Sequence, residues 1–294
     1  TTRSDFQFNP TSCEKMAVTG TIHSSEDASD SISVPFQVTN CRDLNFTPKF
    51  AVSTGAKTSK ADGASLTVKV SEPAGSLGTQ ANLARVKVEL PKQLPSRLTT
   101  LQKACTDAQF NANPAGCPSA SEIGHATVHT PLLSVPLTGP VIFVSHGGEA
   151  FPSLTMVLQG DGVTIDLVGA TFISKTGVTS TTFKTVPDQP FSTFELTLPT
   201  DKYSALTGLG NLCTEKLTMP TEFIAQNGSE IHEDTKIGVT GCKKAKKALT
   251  RAQKLKKALK TCHTKKKSKH ASCEKAARKK YGPANKKSKR KGKR

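Results

Sequence analysis

The stretch "LTVKV", residues 66–70, places Leu66, Val68 and Val70 on one side of an extended chain and Thr67 and Lys69 on the other. Side chains of a strand alternate between its two faces, so this pattern describes a half-buried β-strand and fits no helix. The same period of two recurs in "VKVEL", with Val86, Val88 and Leu90, and in "FELTL", with Phe194, Leu196 and Leu198. Segments 141–145, 154–159, 163–173 and 217–224 are β-branched or aromatic and end at Gly, Pro or Asp. Many short strands separated by turn residues indicate an all-β sandwich or barrel. We expect an Ig-like β-sandwich over 42–242.

One helix interrupts this pattern, "SRLTTLQKAC", for which Ser96 is the expected N-cap after the prolines of "LPKQLP". The eight cysteines, at 13, 41, 105, 117, 213, 242, 262 and 273, fall in neighbouring pairs. An even count so spaced suggests disulfides and an oxidising compartment. Cys105 and Cys117 would close a short loop, a bridge that contributes roughly 3 kcal/mol in the chain-entropy model.

The outer pairs resemble each other. "CEKMAVTGTI" at 13–22 aligns with "CTEKLTMPTEF" at 213–223 given one inserted residue, and "VTNC" at 38–41 with "VTGC" at 239–242. Cys13 and Cys41 are 28 positions apart and Cys213 and Cys242 are 29. Each interval reads as a strand pair pinned by a disulfide. An offset of about two hundred residues is too long for a solenoid and suits tandem domains. Residues 1–41 are then expected to be the end of a preceding β-repeat. The opening "TTRSDFQF" lacks the basic-then-apolar pattern of a signal peptide. Triplets of the N-glycosylation type at Asn45 and Asn227 are compatible with export.

The run "VELPKQLPSRLTTLQKACTDAQFNANPAGCPSASEIGHATVHTPLLSVPLTGPVIFVSHGGEAFPSLTMVLQGDGVTIDLVG", followed by "FELTLP", "LCTEKLTMPT", "AQNG" and "VTGC", resembles a group of large secreted repeat proteins of high-GC actinobacteria of the Solirubrobacter type. The resemblance covers most of 1–242. It implies export, tandem β-domains and a Lys-rich, Cys-containing terminal segment. It implies no activity.

Charge divides the chain. Residues 243–294 hold 24 Lys or Arg against one acid, Glu274, which leaves 17 bases against 22 acids in 1–242. Only the tail has an electrostatic reason to seek a polyanion. Ala245, Ala248, Ala252, Leu255, Leu259 and Cys262 recur at three- and four-residue steps, an apolar stripe on a cationic helix. "ASCEKAARKKYG" predicts a second helix with Cys273, Ala276 and Ala277 on one side, ending at Gly282-Pro283. We expect 243–282 to form a helical hairpin stapled by Cys262–Cys273, and 283–294 to be a disordered basic tail. Twenty of the 24 bases are Lys, and Tyr281 is the one aromatic residue. Lys attracts anions as a point charge, whereas Arg suits bidentate recognition, so non-specific, salt-sensitive binding is expected. The residues assigned to it are Lys254, Lys257, Lys265, Lys266, Lys267, Lys269, Lys279, Lys280, Lys286, Lys287, Arg290 and Arg294.

Little points to chemistry. Cys262, His263, His270 and Cys273 could in principle hold zinc, but C-H-x6-H-x2-C matches no common module and the lysines oppose a dication. His125 and His129 lie on a strand, roughly 13 Å apart. "VSHGGEA" at 144–150 echoes the His-Gly-Gly of an esterase oxyanion loop, yet no G-x-S-x-G accompanies it and a hairpin turn is simpler. Acidic segments 26–30 and 230–234 lack the ligand density of calcium loops. No catalytic residue, metal or cofactor is assigned. The expectation is a non-enzymatic, secreted or cell-surface structural or adhesive protein, its tail binding anionic envelope polymer, acidic polysaccharide or anionic lipid. The alternatives are a nucleic-acid-binding protein, and an enzyme with an unrecognised site in the β-domain.

Overall fold

A computed structural model describes residues 8–73, 77–242, 249–264 and 266–282. The chain forms two compact units, Thr1–Cys242 and Lys243–Arg294.

The first unit is mostly strand. Its elements are β1 (Met16–His23), β2 (Ser29–Phe36), β3 (Lys49–Gly55), β4 (Leu66–Ser71), β5 (Leu83–Glu89), β6 (Cys105–Thr106) and β7 (Glu122–His129). They continue with β8 (Leu137–Ser145), β9 (Ser153–Gly160), β10 (Val163–Ile173), β11 (Thr179–Phe183), β12 (Thr193–Leu198), β13 (Thr218–Ala225) and β14 (Glu230–Thr240). Strands β3–β14 make one sheet in the order β6-β8-β7-β12-β4-β3-β14-β13-β5-β11-β10-β9, and β8 also pairs with β9. That last ladder brings the order back to its start. Eleven strands form a closed ring, with two-residue β6 attached in parallel at Val144 and Ser145. The expected strands are present, but they pair around one ring and not as the two separate sheets of an Ig-like sandwich.

The alternation read from sequence sets the inside of the ring. Leu66, Val68 and Leu196, Leu198 belong to one buried cluster with Met156, Leu158, Val141 and Met219. Val88 and Phe183 pack against that cluster, while Lys87 and Glu89 face outward in an ion pair. Asp161 and Gly162 join β9 to β10 with positive φ at both positions, the requirement of a two-residue hairpin turn.

A smaller cluster lies outside the ring. Phe110, Cys105 and partly buried Cys117 pack on Ile142, Val144 and Val157. The expected helix at 96–105 is a single turn, α1 (Leu98–Leu101), and its N-cap is Arg97 without a side-chain cap. Ser96 instead bridges to Leu206. The better-formed helix is α2 (Asp107–Ala112), where Thr106 and Gln109 form a capping box.

Strands β1 and β2 form a separate two-stranded sheet. Its register repeats that of β13 and β14. Val18 pairs with Val34 as Met219 pairs with Thr235, and Thr19 with Ser33 as Pro220 with Asp234, an offset of 201 in both strands. The disulfides Cys13–Cys41 and Cys213–Cys242 close the two hairpins. Their surroundings differ. Hairpin β13–β14 is flanked by β5 and β3, and Met219 and Phe223 are buried at 0% and 1% exposure. The matching Val18 and Ile22 are exposed at 63% and 58%.

In the second unit, α3 (Arg251–His263) starts at Thr250, whose hydroxyl and Gln253 form a capping box. The helix therefore does not run through from 243, and Ala245 and Ala248 lie outside the described residues. Helix α4 (His270–Tyr281) follows a short 3-10 turn at Lys267–Lys269. The helices are joined by Cys262–Cys273, and Cys262 and Ala277 are buried. Ala252 and Ala276, expected on the packed faces, are exposed. The expected tail 283–294 lies outside the described residues.

The matched hairpins give a direct comparison. Met219→Ser should cost about 2–4 kcal/mol and lower Tm by roughly 5–10 °C in calorimetry, whereas Val18→Ser should leave Tm within about a degree, because Val18 is largely exposed.

Candidate functional site

Three places bring candidate functional side chains together: the interior of the ring, a hydrogen-bonded cluster on its outside, and the cationic helices.

The ring surrounds a cavity of about 370 Å3. Its walls come from inward positions of the strands, among them Val68, Val88, Met156, Ile165, Leu167, Phe183 and Leu196. Eight strands leave an interior that side chains can fill or that holds one small ligand; eleven enclose a wider one. Many inward positions also carry short side chains, such as Val68, Val70, Val86, Val88, Thr171 and Thr181. Among the described residues no charged side chain lines it. The hydroxyls in its wall include Thr171, whose buried Oγ1 has no hydrogen-bond partner.

Part of one end of the ring is closed by polar bonds. Asp188 accepts from Thr11 N–H at 2.7 Å, Thr11 Oγ1 at 2.7 Å, Ser12 N–H at 2.9 Å and Asn82 Nδ2 at 2.8 Å. Gln226 Nε2 donates to the carbonyls of Leu83 and Val186. Beside this plug the lining becomes apolar and accessible: Leu132 and Val163 both line the cavity and are each 38% exposed. Asp161 holds the adjoining loop by accepting from Ser134 N–H, Ser134 Oγ and Val135 N–H. Glu72 follows β4 at the same end, in the inward phase of Leu66, Val68 and Val70. Burial raises its carboxyl to about 7.

On the outer surface, α2 and the β8–β9 turn meet through a chain of three side chains. His146 Nδ1 lies 2.6 Å from Asp107 Oδ1, and His146 Nε2 lies 2.8 Å from Ser153 Oγ. Sequence inspection shows no nucleophile–base arrangement, because these residues are 39 and 7 positions apart and no motif links them. The order acid–imidazole–hydroxyl is that of a serine hydrolase, but exposure is reversed. Asp107 and His146 are about two-fifths exposed, whereas Ser153 is buried at 6%. Ser153 Oγ is also 3.2 Å from the Val144 carbonyl and 3.1 Å from Thr155 Oγ1. A nucleophile needs a free approach and donors aimed at a developing oxyanion. Gly147 and Gly148 have positive φ, as the turn requires. The contacts latch the disulfide-closed loop 105–117 onto the β8–β9 turn.

In the second unit, Lys254 and Lys257 lie on α3, Lys266, Lys267 and Lys269 at the connecting turn, and Lys279 and Lys280 on α4. All seven are exposed. Among the described residues none is in an ion pair; the unit's acid, Glu274, pairs with His263 at 3.4 Å. Lys265, Lys286, Lys287, Arg290 and Arg294 lie outside the described residues. Cys262 and Cys273 share a disulfide, so they are not thiolate ligands beside His263 and His270. His125 and His129 are exposed on β7, and segment 230–234 is strand rather than an acidic loop. All described cysteines are paired, Cys105 with Cys117 included. Among the described residues no helix is long and apolar enough to cross a membrane.

No family model matches the chain, and no curated protein matches it significantly.

Glu72 makes stability depend on pH. Its folded pKa, about 7, lies above the ordinary 4.5, so the folded state holds a proton that the unfolded state releases between those values. This contribution is complete below pH 4.5 and is lost as pH rises through 7. Glu72→Gln should match the wild-type Tm at pH 4 and exceed it increasingly towards pH 8, by calorimetry.

Proposed function

We propose that the protein is a non-enzymatic, extracellular structural or adhesive module whose cationic terminal unit holds it to a polyanion. The observation that carries this is the segregation of charge: seven described lysines stand exposed and without ion pairs on a unit with a single acid, beside a net-acidic β-unit. Such a surface binds by releasing counterions, with weak chemical selectivity and steep salt dependence. Anionic envelope polymer, acidic polysaccharide and anionic lipid all meet that description. Four disulfides are compatible with an extracellular setting and favour this reading over an intracellular nucleic-acid-binding one. We read α3 and α4 as a stapled helical hairpin, since so small an apolar contact needs a covalent link against self-repulsion.

The matching registers of β1–β2 and β13–β14 support the tandem arrangement. In this reading β1–β2 is the last hairpin of a second ring of the same kind, and 42–242 is one repeat. The exposed Val18, Ile22 and Val34 would face that ring's interior, as Met219 and Phe223 face this one's.

Retention on polyphosphate-coated beads should fall steeply between 50 and about 500 mM salt. It should be largely lost in a chain with Lys266, Lys267, Lys269, Lys279 and Lys280 changed to Gln; equal retention of the two chains would end the anchoring proposal.

Asp107, His146 and Ser153 favour a second reading, a serine hydrolase. A fluorophosphonate probe tests it by mass spectrometry. The buried hydroxyl predicts no adduct at Ser153; a stoichiometric adduct that His146→Ala abolishes would establish the hydrolase.

A further inference from the structure

We propose that the ring is a binding protein for one neutral, largely hydrocarbon molecule, taken up in the 370 Å3 cavity. Three observations on the same space carry this.

The first is size. The volume of about 370 Å3 falls at the lower end of the range of small-molecule sites. The second is chemistry. The walls are mainly Val, Leu, Ile, Met and Phe, with Ala, Pro, a few hydroxyls and the amide of Gln189. An apolar occupant recovers the dispersion contacts that an empty interior forfeits. The third is charge. Among the described residues no Lys or Arg lines the space, so a buried carboxylate or phosphate would have no counter-charge from them. This favours a neutral ligand over the anionic end of a fatty acid.

Leu132 and Val163 line the cavity and are each 38% exposed, so they form its entrance, beside the bonds around Asp188.

The site is on the other side of the sheet from Ser153 and is independent of the lysines, so it stands or falls apart from the function proposed above.

The test uses the full chain, delipidated under denaturing, non-reducing conditions and refolded, with N-phenyl-1-naphthylamine as the fluorescent probe and 1-dodecanol, dodecane and dodecanoate as competitors. Saturable one-to-one binding is expected, with 1-dodecanol displacing the probe at roughly tenfold lower concentration than dodecanoate at pH 8. Ile165→Trp, which fills the space, should abolish binding while circular dichroism and Tm show a folded protein. Absence of saturable binding by folded wild-type protein would overturn the site, as would unchanged binding in folded Ile165→Trp. Should that variant fail to fold, Leu167→Phe, a smaller intrusion, takes its place with the same two outcomes. Equal displacement by dodecanol and dodecanoate would overturn the assignment of a neutral ligand.

Discussion

The β8–β9 ladder is the constraint on which the first unit depends. Without it the sheet would be a long ribbon with two free edges, and the apolar residues of every strand would share one exposed face. With it, Thr138 to Val144 pair with Ser153 to Gln159, the edges disappear and the inward positions acquire an interior. Gly139 marks how tightly the strands meet, since a Cβ there would collide with the Val157 carbonyl. The outer layer reinforces the same place: Phe110 and the Cys105–Cys117 bridge pack over Ile142, Val144 and Val157, and Asp107 and His146 tie that layer to the turn. The chain concentrates its secondary core and its covalent staple on the seam that closes the ring.

Closure and width together explain the interior. An inward-facing residue is a packing element only when another side chain can reach it from across the ring. With eleven strands and Val or Thr at many inward positions, the side chains leave a cavity of about 370 Å3 unfilled. Burial and filling are separate properties, and this molecule has more of the first than of the second.

Strand positions were legible from sequence because alternation is local. "LTVKV", "VKVEL" and "FELTL" each occupy a strand, with the apolar set inward. Closure was not legible, because the β8–β9 pairing leaves no pattern that distinguishes it from a pairing inside a sandwich. The capping box at Thr106 and Gln109 was present as a T-x-x-Q signal and marks the helix better than Ser96 does. Thr250 and Gln253 carry the same signal and place the start of α3. The cavity and the Asp107–His146–Ser153 contact arise from residues brought together by the fold from distant positions, and no window of sequence contains either. Charge segregation, by contrast, needed only counting, and the exposed lysines of α3 and α4 follow it directly.

Among the described residues the hairpin β1–β2 pairs with no further strand, and it carries an exposed apolar stripe of Val18, Ile22, Val34 and Phe36. Two such hairpins can stack stripe to stripe or extend each other's ladder, and neither association requires the ring to unfold. Solutions of the isolated chain will therefore be governed by concentration: dimers and short fibrous strings would form through this arm, while the ring attached to it remains monomeric in character.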